Sequence, residues 1–363
     1  MRPGPDTTQR RKMPAALPPH VELSTVPVRT AGTIPSVSAA ASSSAHGSLP
    51  ASPPARPARP DAIADQSPGS ALHMNSPRSK TVAVVITEPP TRIFGDPFFS
   101  VLFAGIYDAL GERSLLPLML APHLAKDLGL TEAYLLGGHF DGVVLISIHN
   151  DNQLPNRLRD AGIPTVLWGT PARGIVASYI DIDNRQGARL AVEHLISLGR
   201  RHIATISGNL DMTTAVDRLM GYRDALVAAH IALDPTLEEV ANFLPNRAHM
   251  AMERLLLNHP EVDAVFVASD LMAAAAIGVL HQAGKRIPED IAVVGFDDSP
   301  TALSTRPPLS TIRQPIEQMG HEAISMLMRE MQEPGRAPDH LILAAELVVR
   351  ESSTGPRDVR ATS

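Results

Sequence analysis

A set of carboxylates, hydroxyls, aromatic rings and one guanidinium follows the short apolar runs of this chain or opens a predicted helix. The set comprises Asp96, Phe98, Phe99, Ser147, His149, Trp168, Arg218, Ser269 and Asp297. A carboxylate accepts hydrogen bonds from two neighbouring hydroxyls, a guanidinium donates through a planar fork, and an aromatic face packs on the C–H side of a sugar ring. These residue types predict a binding site for a sugar, a purine or a similar small polar metabolite.

The sequence patterns of the common catalytic sites are missing. The chain contains no GxSxG, no GxxxxGK[ST], no HExxH, and no GxGxxG after the first apolar run. Its fourteen histidines are scattered, and the absence of cysteine removes disulfides, thiolate catalysis and finger-type zinc sites. We therefore predict that the protein is not an enzyme and that it uses neither a metal nor a cofactor.

The composition bounds the class of protein. A chain of 363 residues can bury a large core, and 44% hydrophobic against 19% charged residues is ordinary for a globular protein. No apolar run reaches the roughly 18 residues that a membrane-spanning helix needs, and proline-rich segments follow the basic N-terminus in place of a signal core. The formal net charge of -6 disfavours non-specific nucleic acid binding by the whole molecule. The composition predicts a cytoplasmic protein without a membrane partner.

Short apolar runs alternate with helical patterns from Thr81 onward. The predicted strands lie at 81–87, 115–120, 141–147, 163–168, 202–207, 262–269, 291–298 and 340–350. Apolar runs of this length are typical of strands that are buried on both faces, and helices between them indicate right-handed βαβ units. A break near residues 178–187 separates two series of strands. The predicted fold class is therefore α/β, with two doubly wound parallel-sheet lobes. Ligands of such sheets bind beyond the carboxyl ends of the strands, where the candidate residues lie.

Several segments share the order and spacing of one known family. They are SKTVAVVIT (79–87), DPFFSVLFAGIYDAL (96–110), DIDNRQGARLAVEHLISLGRRHIATISG (181–208), RLMGYRDAL (218–226), VFVASD to STIRQP (265–315) and MGHEAISMLM (319–328). Together they resemble the effector domain of the lactose/galactose repressor family of transcriptional regulators. The resemblance implies two lobes of periplasmic-binding-protein type joined by three crossovers, and a homodimer as the usual assembly. It also singles out Arg218 and Asp297 as the direct ligand contacts.

The resemblance also implies domain boundaries and a function. The expected ranges are 79–354 for the effector domain, 79–180 with 314–332 for its N-lobe, 181–313 with 333–354 for its C-lobe, and 355–363 for a tail. The implied function is a repressor-like regulator that senses a small-molecule effector, a sugar or related metabolite, between the lobes. The alternative is a sugar-binding solute receptor, or a sensor without its own DNA-binding domain. A transport receptor predicts a secretion signal or a lipid-anchored cysteine, and this sequence shows neither.

The two highest-ranked residues also have structural interpretations. For Arg218 the alternative is an ion pair with Asp217 or Asp224 on a solvated helix face. For Asp297 it is the cap of a turn, which an FDD sequence alone favours. The family context favours the ligand site for both residues.

Four further positions have interpretations of their own. Trp168 fits a core position as well as a ligand contact. Ser269 stands where the family usually shows asparagine, so we expect a ligand preference that differs from the better-known sugars. Asp183 and Asn184 are predicted to fix the crossover turn between the lobes.

Residues 1–78 differ from the rest because proline, alanine and serine crowd them, and we predict that this segment is disordered. The family's DNA reader, a helix-turn-helix, would lie here. The nearest passage, VPVRTAGTIPSVSAA (26–40), carries Pro27 and Pro35 inside the two would-be helices. Either the N-terminal reading frame is shifted, or the chain is a sensor without a reader. Operator DNA is therefore an expected partner only if an intact reader exists.

Overall fold

The computed structural model describes residues 80–122 and 125–355. The predictions for residues 1–78, including the degenerate reader, and for the tail beyond Gly355 lie outside the described residues. Within the described part of the chain, no helix is long and apolar enough to cross a membrane.

Two six-stranded sheets form the framework of the described chain. The first sheet contains β1 (Thr81–Ile86), β2 (Leu116–Leu120), β3 (Gly142–Ile146), β4 (Thr165–Trp168), β5 (Ser178–Ile182) and β11 (His340–Leu343), in the order β11-β5-β4-β3-β1-β2. The second contains β6 (Ile203–Ser207), β7 (Glu238–Val240), β8 (Ala264–Val267), β9 (Ala292–Asp297), β10 (Ser310–Arg313) and β12 (Glu346–Val348), in the order β12-β10-β9-β8-β6-β7. All pairs are parallel except β10 with β12. The predicted α/β fold with two parallel-sheet lobes is confirmed.

Helices cover the faces of both sheets and connect their strands. They are α1 (Pro90–Gly95), α2 (Pro97–Gly111), α3 (Ala125–Leu136), α4 (Leu154–Asp160), α5 (Asn184–Ser197), α6 (Thr213–Ala228), α7 (Pro245–Asn258), α8 (Asp270–Gln282), α9 (Pro300–Ser304), α10 (Ile316–Gln332) and α11 (Glu351–Thr354). The central strand β1 is buried as its apolar run predicts, since Val82 to Ile86 are at most 1% exposed, whereas the edge strand β2 is partly exposed, with Leu116 at 66%. Residues 235–237 add one turn of 3₁₀ helix.

The chain passes between the two sheets three times. It leaves the first sheet after β5 and enters α5 of the second lobe, and it returns from β10 to α10, which packs on β3, β4 and β5. The third passage separates β11 in the first sheet from β12 in the second. The three predicted crossovers are confirmed.

The last predicted strand, 340–350, was wrong as a single element. Its first part, β11, pairs with β5, and its second part, β12, pairs with β10, with Ala344 and Ala345 between them. The apolar run is continuous across this point, so the sequence carries no signal for the change of sheet. Residues 340–343 consequently belong to the first sheet, whereas the predicted range 333–354 assigned them to the second lobe.

Candidate functional site

A cleft lies where the carboxyl ends of the strands of both sheets meet. Seven of the nine predicted site residues line it: Asp96, Phe98, Ser147, Trp168, Arg218, Ser269 and Asp297. Seven further residues complete the lining: Arg92, Ile146, Asp181, Met212, Thr214, Phe243 and Gln314. The arrangement joins aromatic rings with carboxylates and guanidinium groups, which suits a ligand that has both apolar and hydrogen-bonding surfaces.

The other two predicted residues are not part of the lining of the cleft. Phe99 is fully buried among core side chains, because neighbours in a helix point about 100° apart and Phe98 already faces the cleft. His149 sits at the rim, where its Nδ1 lies 2.9 Å from the Asp211 carboxylate. The prediction that Phe99 and His149 line the site was therefore wrong.

Arg218 is held by three groups of the second lobe. Its Nε donates to Asn184 Oδ1 at 2.8 Å, and its Nη1 donates to the carbonyl oxygen of Ala268 at 2.7 Å. Its Nη1 also lies 3.5 Å from Asp297 Oδ1, and the residue is only 6% exposed. Burial lowers the pKa of Arg218, and the Asp297 carboxylate opposes that shift. The guanidinium is thus fixed in a position from which it faces the cleft.

The solvated alternative for Arg218 is wrong. Arg218 lies inside α6, more than one turn from its start at Thr213, and not at the helix start that the sequence predicted. Asp224 pairs with Arg185 on the neighbouring helix at 2.5 Å instead.

Asp297 is the last residue of β9 and is buried beside the guanidinium of Arg218. Its Oδ1 accepts a hydrogen bond from Gln314 Nε2 at 2.6 Å. Burial raises the pKa of Asp297 to about 7, although the charge of Arg218 opposes the rise. The ionisation of this carboxyl group therefore falls in the physiological range.

Asp270 lies directly behind Asp297 and is fully buried. Its carboxylate accepts from Thr311 Oγ1 at 2.5 Å and from the Ser299 amide at 2.7 Å. Burial, and then the charge of Asp297, raise the pKa of Asp270 well above its usual range. Ser269, one residue earlier, caps α8 by accepting from the Met272 amide at 3.3 Å while it lines the cleft.

Asn184 links the crossover turn to the site. Its Nδ2 donates to Asp181 Oδ1 at 2.9 Å, and its Oδ1 accepts from Arg218. Asp183 caps α5 by accepting from the Gln186 amide at 2.8 Å. The structural role predicted for Asp183 and Asn184 is confirmed, and Asn184 additionally orients Arg218. Burial raises the pKa of Asp181, which lines the cleft beside them.

The segment between β1 and α2 forms part of the first-lobe wall of the cleft. Asp96 caps α2 by accepting from the Phe98 amide at 3.1 Å, and burial raises its pKa. Arg92 forms an ion pair with Glu88, and its guanidinium carbon lies 4.6 Å from the centre of the Phe243 ring on the second lobe. Arg92 therefore touches the opposite side of the cleft.

Three cleft residues have a positive φ angle, a backbone conformation that residues other than glycine rarely adopt. The φ angles are 58° at Ser147, 59° at Phe243 and 117° at Asp297. Such angles cost of order 1–3 kcal/mol each and cluster at ligand sites. Their concentration around one cleft supports a functional role for it.

Sequence reasoning missed several residues of the lining, notably Arg92, Phe243 and Gln314. Arg92 lies in the short helix α1 and Phe243 in a turn, and apolar periodicity gives no signal in either place. Gln314 lies inside the segment LSTIRQP (309–315), which was predicted to cross between the lobes, and that position was an available signal. Within residues 80–122 and 125–355, no group of three or more histidine, aspartate or glutamate side chains is arranged to hold a metal ion.

Comparison with known protein sequences identifies relatives of this chain. A model of the periplasmic binding protein-like domain matches residues 192–353. The transcriptional regulator CelR of Thermobifida fusca is 42% identical over 278 residues, which cover 76% of this chain and 82% of that protein. The ribose operon repressor of Escherichia coli is 32% identical over 281 residues, which cover 76% of this chain and 83% of that protein.

Solved structures agree with these relatives. A complex of CelR with cellobiose has a TM-score of 0.73 and 42% identity, and the match covers 76% of this chain and 85% of that one. A regulatory protein of the LacI family from Chloroflexus aggregans has a TM-score of 0.65 and 28% identity, over 76% of this chain and 99% of that one. Because the likeness extends through both lobes, this chain belongs to the lactose/galactose repressor family of transcriptional regulators.

Proposed function

We propose that this protein is a cytoplasmic transcriptional regulator that senses a sugar or a related small polar metabolite in the cleft. The observation that carries the proposal is the convergence of Arg218 and Asp297, 3.5 Å apart, on a cleft that aromatic side chains also line. The guanidinium donates to ligand oxygens, the carboxylate accepts from hydroxyls, and Trp168, Phe98 and Phe243 supply apolar faces.

The proposed mechanism is a population shift. Arg92, Asp96 and Trp168 belong to the first lobe and Arg218 and Asp297 to the second, so a ligand between them favours the conformation in which the lobes are close. In a homodimer, a change in lobe angle alters the spacing of two DNA readers and with it the affinity for a two-part operator.

The relatives support a transcriptional regulator over a sugar-binding solute receptor and over a sensor without its own DNA-binding domain. One related structure is a complex of a transcriptional regulator with cellobiose, and another relative is a ribose operon repressor. A solute receptor that lacks a DNA reader has the same bilobed fold, so operator binding by the full chain distinguishes it from a regulator. The relatives are regulators rather than enzymes, which favours a binding role for the cleft.

Calorimetry of the full chain tests the site. The panel contains cellobiose, glucose, ribose, adenine and guanine, and the variants are Arg218→Ala and Asp297→Ala. We expect one compound to bind the wild-type protein and to lose at least tenfold in affinity with either variant. Arg185→Ala, which removes an exposed ion pair on α5, is the matched control and is expected to bind normally. Binding that is unchanged in both site variants would refute the proposal.

A further inference from the structure

Arg92 carries a buried hydrogen-bond donor without a partner. Its side chain is 9% exposed, and its Nε is one of two buried side-chain polar atoms in the described part of the chain that make no hydrogen bond. A buried donor without an acceptor destabilises the fold, so each such atom calls for an explanation. Because Arg92 lines the cleft, a ligand oxygen is the acceptor that its position offers.

The rest of the Arg92 guanidinium is fixed in place. Its Nη1 donates to Glu88, and its central carbon lies 5.6 Å from the ring centre of Phe99 and 4.6 Å from that of Phe243. A guanidinium held by an ion pair and by aromatic rings has lost much of its conformational freedom. A ligand that accepts from Nε therefore costs little further ordering of this side chain.

The charge of the cleft indicates what kind of oxygen pairs with Arg92. Two cationic side chains line the cleft among the described residues, and a carboxylate already accompanies each: Glu88 beside Arg92 and Asp297 beside Arg218. Asp96 and Asp181 add two more buried carboxyl groups to the lining. An anionic ligand would meet further like charges in surroundings of low dielectric, whereas a neutral one would not.

We propose that Arg92 is a specificity-determining residue whose Nε–H donates to a hydroxyl or ether oxygen of an uncharged saccharide. The carboxylates around it discriminate against sugar acids and sugar phosphates of the same shape. This inference rests on the proposed function, that the cleft binds a sugar. It adds the class of sugar and the first-lobe residue that selects it.

The first test compares a charged with an uncharged ligand of equal shape. The full chain is titrated with the sugar that binds most tightly in the panel, then with the uronic acid and the uronamide of that sugar, which differ mainly in charge. We expect the uronamide to bind at least tenfold more tightly than the uronate, which corresponds to about 1.4 kcal/mol. Equal or tighter binding of the uronate would overturn the proposal.

The second test removes the donor in two ways. Arg92→Lys keeps a positive charge beside Glu88 but loses the Nε donor, and the double variant Glu88→Gln/Arg92→Met removes both charges so that no carboxylate is left unpaired. We expect each to bind the sugar at least tenfold more weakly, with thermal unfolding as the check on folding. Phe94→Ala, on the same helix with 74% of its residue surface exposed, is expected to leave the affinity unchanged.

The outcomes separate this inference from the proposed function. Sugar affinity that is unchanged in both Arg92 variants overturns the assignment of Arg92 alone. Binding of a purine but of no sugar overturns the saccharide class and keeps a metabolite sensor. If no panel compound binds the wild-type chain, both the proposed function and this inference are wrong.

Discussion

The two walls of the cleft are held in place in different ways. On the second-lobe wall, Arg218 donates to Asn184 and to the Ala268 carbonyl, and Asp297 accepts from Gln314. On the first-lobe wall, Arg92 pairs with Glu88 and retains an unpaired Nε. The second-lobe wall is thus held by hydrogen bonds before any ligand binds, while the first-lobe wall keeps one donor for the proposed ligand. The comparison suggests that the second lobe supplies affinity and that the first lobe supplies selectivity.

Among changes to the second-lobe wall, Arg218→Ala is expected to have the largest effect on stability and on ligand affinity. The change leaves Asp297 and Asn184 buried without their main partner, and removal of one member of a buried charge pair costs about 3–5 kcal/mol. We expect a loss of that size in the free energy of unfolding in urea, and a loss of sugar affinity of about a hundredfold or more. Arg185→Ala should cost much less, because its ion pair with Asp224 is exposed. Equal losses in the two variants would contradict the comparison.

Gly208→Ala tests the aromatic surface that both walls share. A Cβ at Gly208 would lie 2.1 Å from the ring of Phe243, so the ring must move out of its contact with Arg92. We expect a loss of about 1–3 kcal/mol in unfolding free energy from overpacking, and about tenfold weaker ligand binding.

The matched control is Gly278→Ala in α8, where a Cβ would meet open space. Alanine in a helix interior stabilises by about 0.5–1 kcal/mol relative to glycine, and ligand affinity should stay the same. A Gly208→Ala protein that binds as tightly as this control would show that Phe243 does not contribute to the site.

The pKa of Asp297, about 7, predicts that binding depends on pH. A ligand hydroxyl needs the ionised carboxylate as its acceptor, so affinity should rise about tenfold between pH 6 and pH 8 and stay flat in Asp297→Asn. The folded chain holds this proton more tightly than the unfolded chain, whose carboxyl titrates near 3.8. Protonation of Asp297 therefore stabilises the fold as the pH falls from about 7 toward 4. Calorimetry and urea unfolding across this range measure both effects, and a wild-type affinity that does not change with pH would contradict the assignment.

The smallest expected effect concerns the rim, where the walls touch each other directly. His149 pairs with Asp211 across the cleft, while the backbone amide of Asn150 donates to the Asp211 carbonyl at 2.9 Å. Asp211→Asn removes the partly exposed carboxylate that contacts His149 but keeps the backbone bond, so we expect a change in ligand affinity of about fivefold or less, or about 1 kcal/mol. A larger loss would mean that the rim, rather than the ligand, holds the lobes together.

The sequence predicted the second-lobe wall better than the first. Arg218 and Asp297 sit in regular elements and Ser269 caps one, and the ends of strands and the turns of helices recur at fixed spacing. Arg92 lies in the short helix α1, where one-dimensional patterns do not reveal which side chain turns inward. Arg92 can be recognised as a site residue only from the folded structure, which shows that its Nε is buried without a hydrogen-bond partner.

The remaining errors of prediction arise at residues whose placement depends on contacts with distant parts of the chain. Phe98 and Phe99 look equivalent in sequence, but the helix directs the second into the core. The run from His340 to Arg350 reads as one strand because its division depends on β5 and β10, which lie far away along the chain. The alternation of strands and helices, by contrast, is a local property, and it predicted the existence of two sheets, although it missed β7 and placed a break where β5 lies.

The late position of β11 in the chain has a consequence for folding during translation. The first sheet gathers its outermost strand from residues 340–343, more than 150 residues after β5, to which that strand pairs. A ribosome must therefore translate nearly the whole chain before either half acquires its full set of strands. A chain that ended shortly before His340 would lack β11 and β12 and would therefore leave both sheets incomplete at one edge.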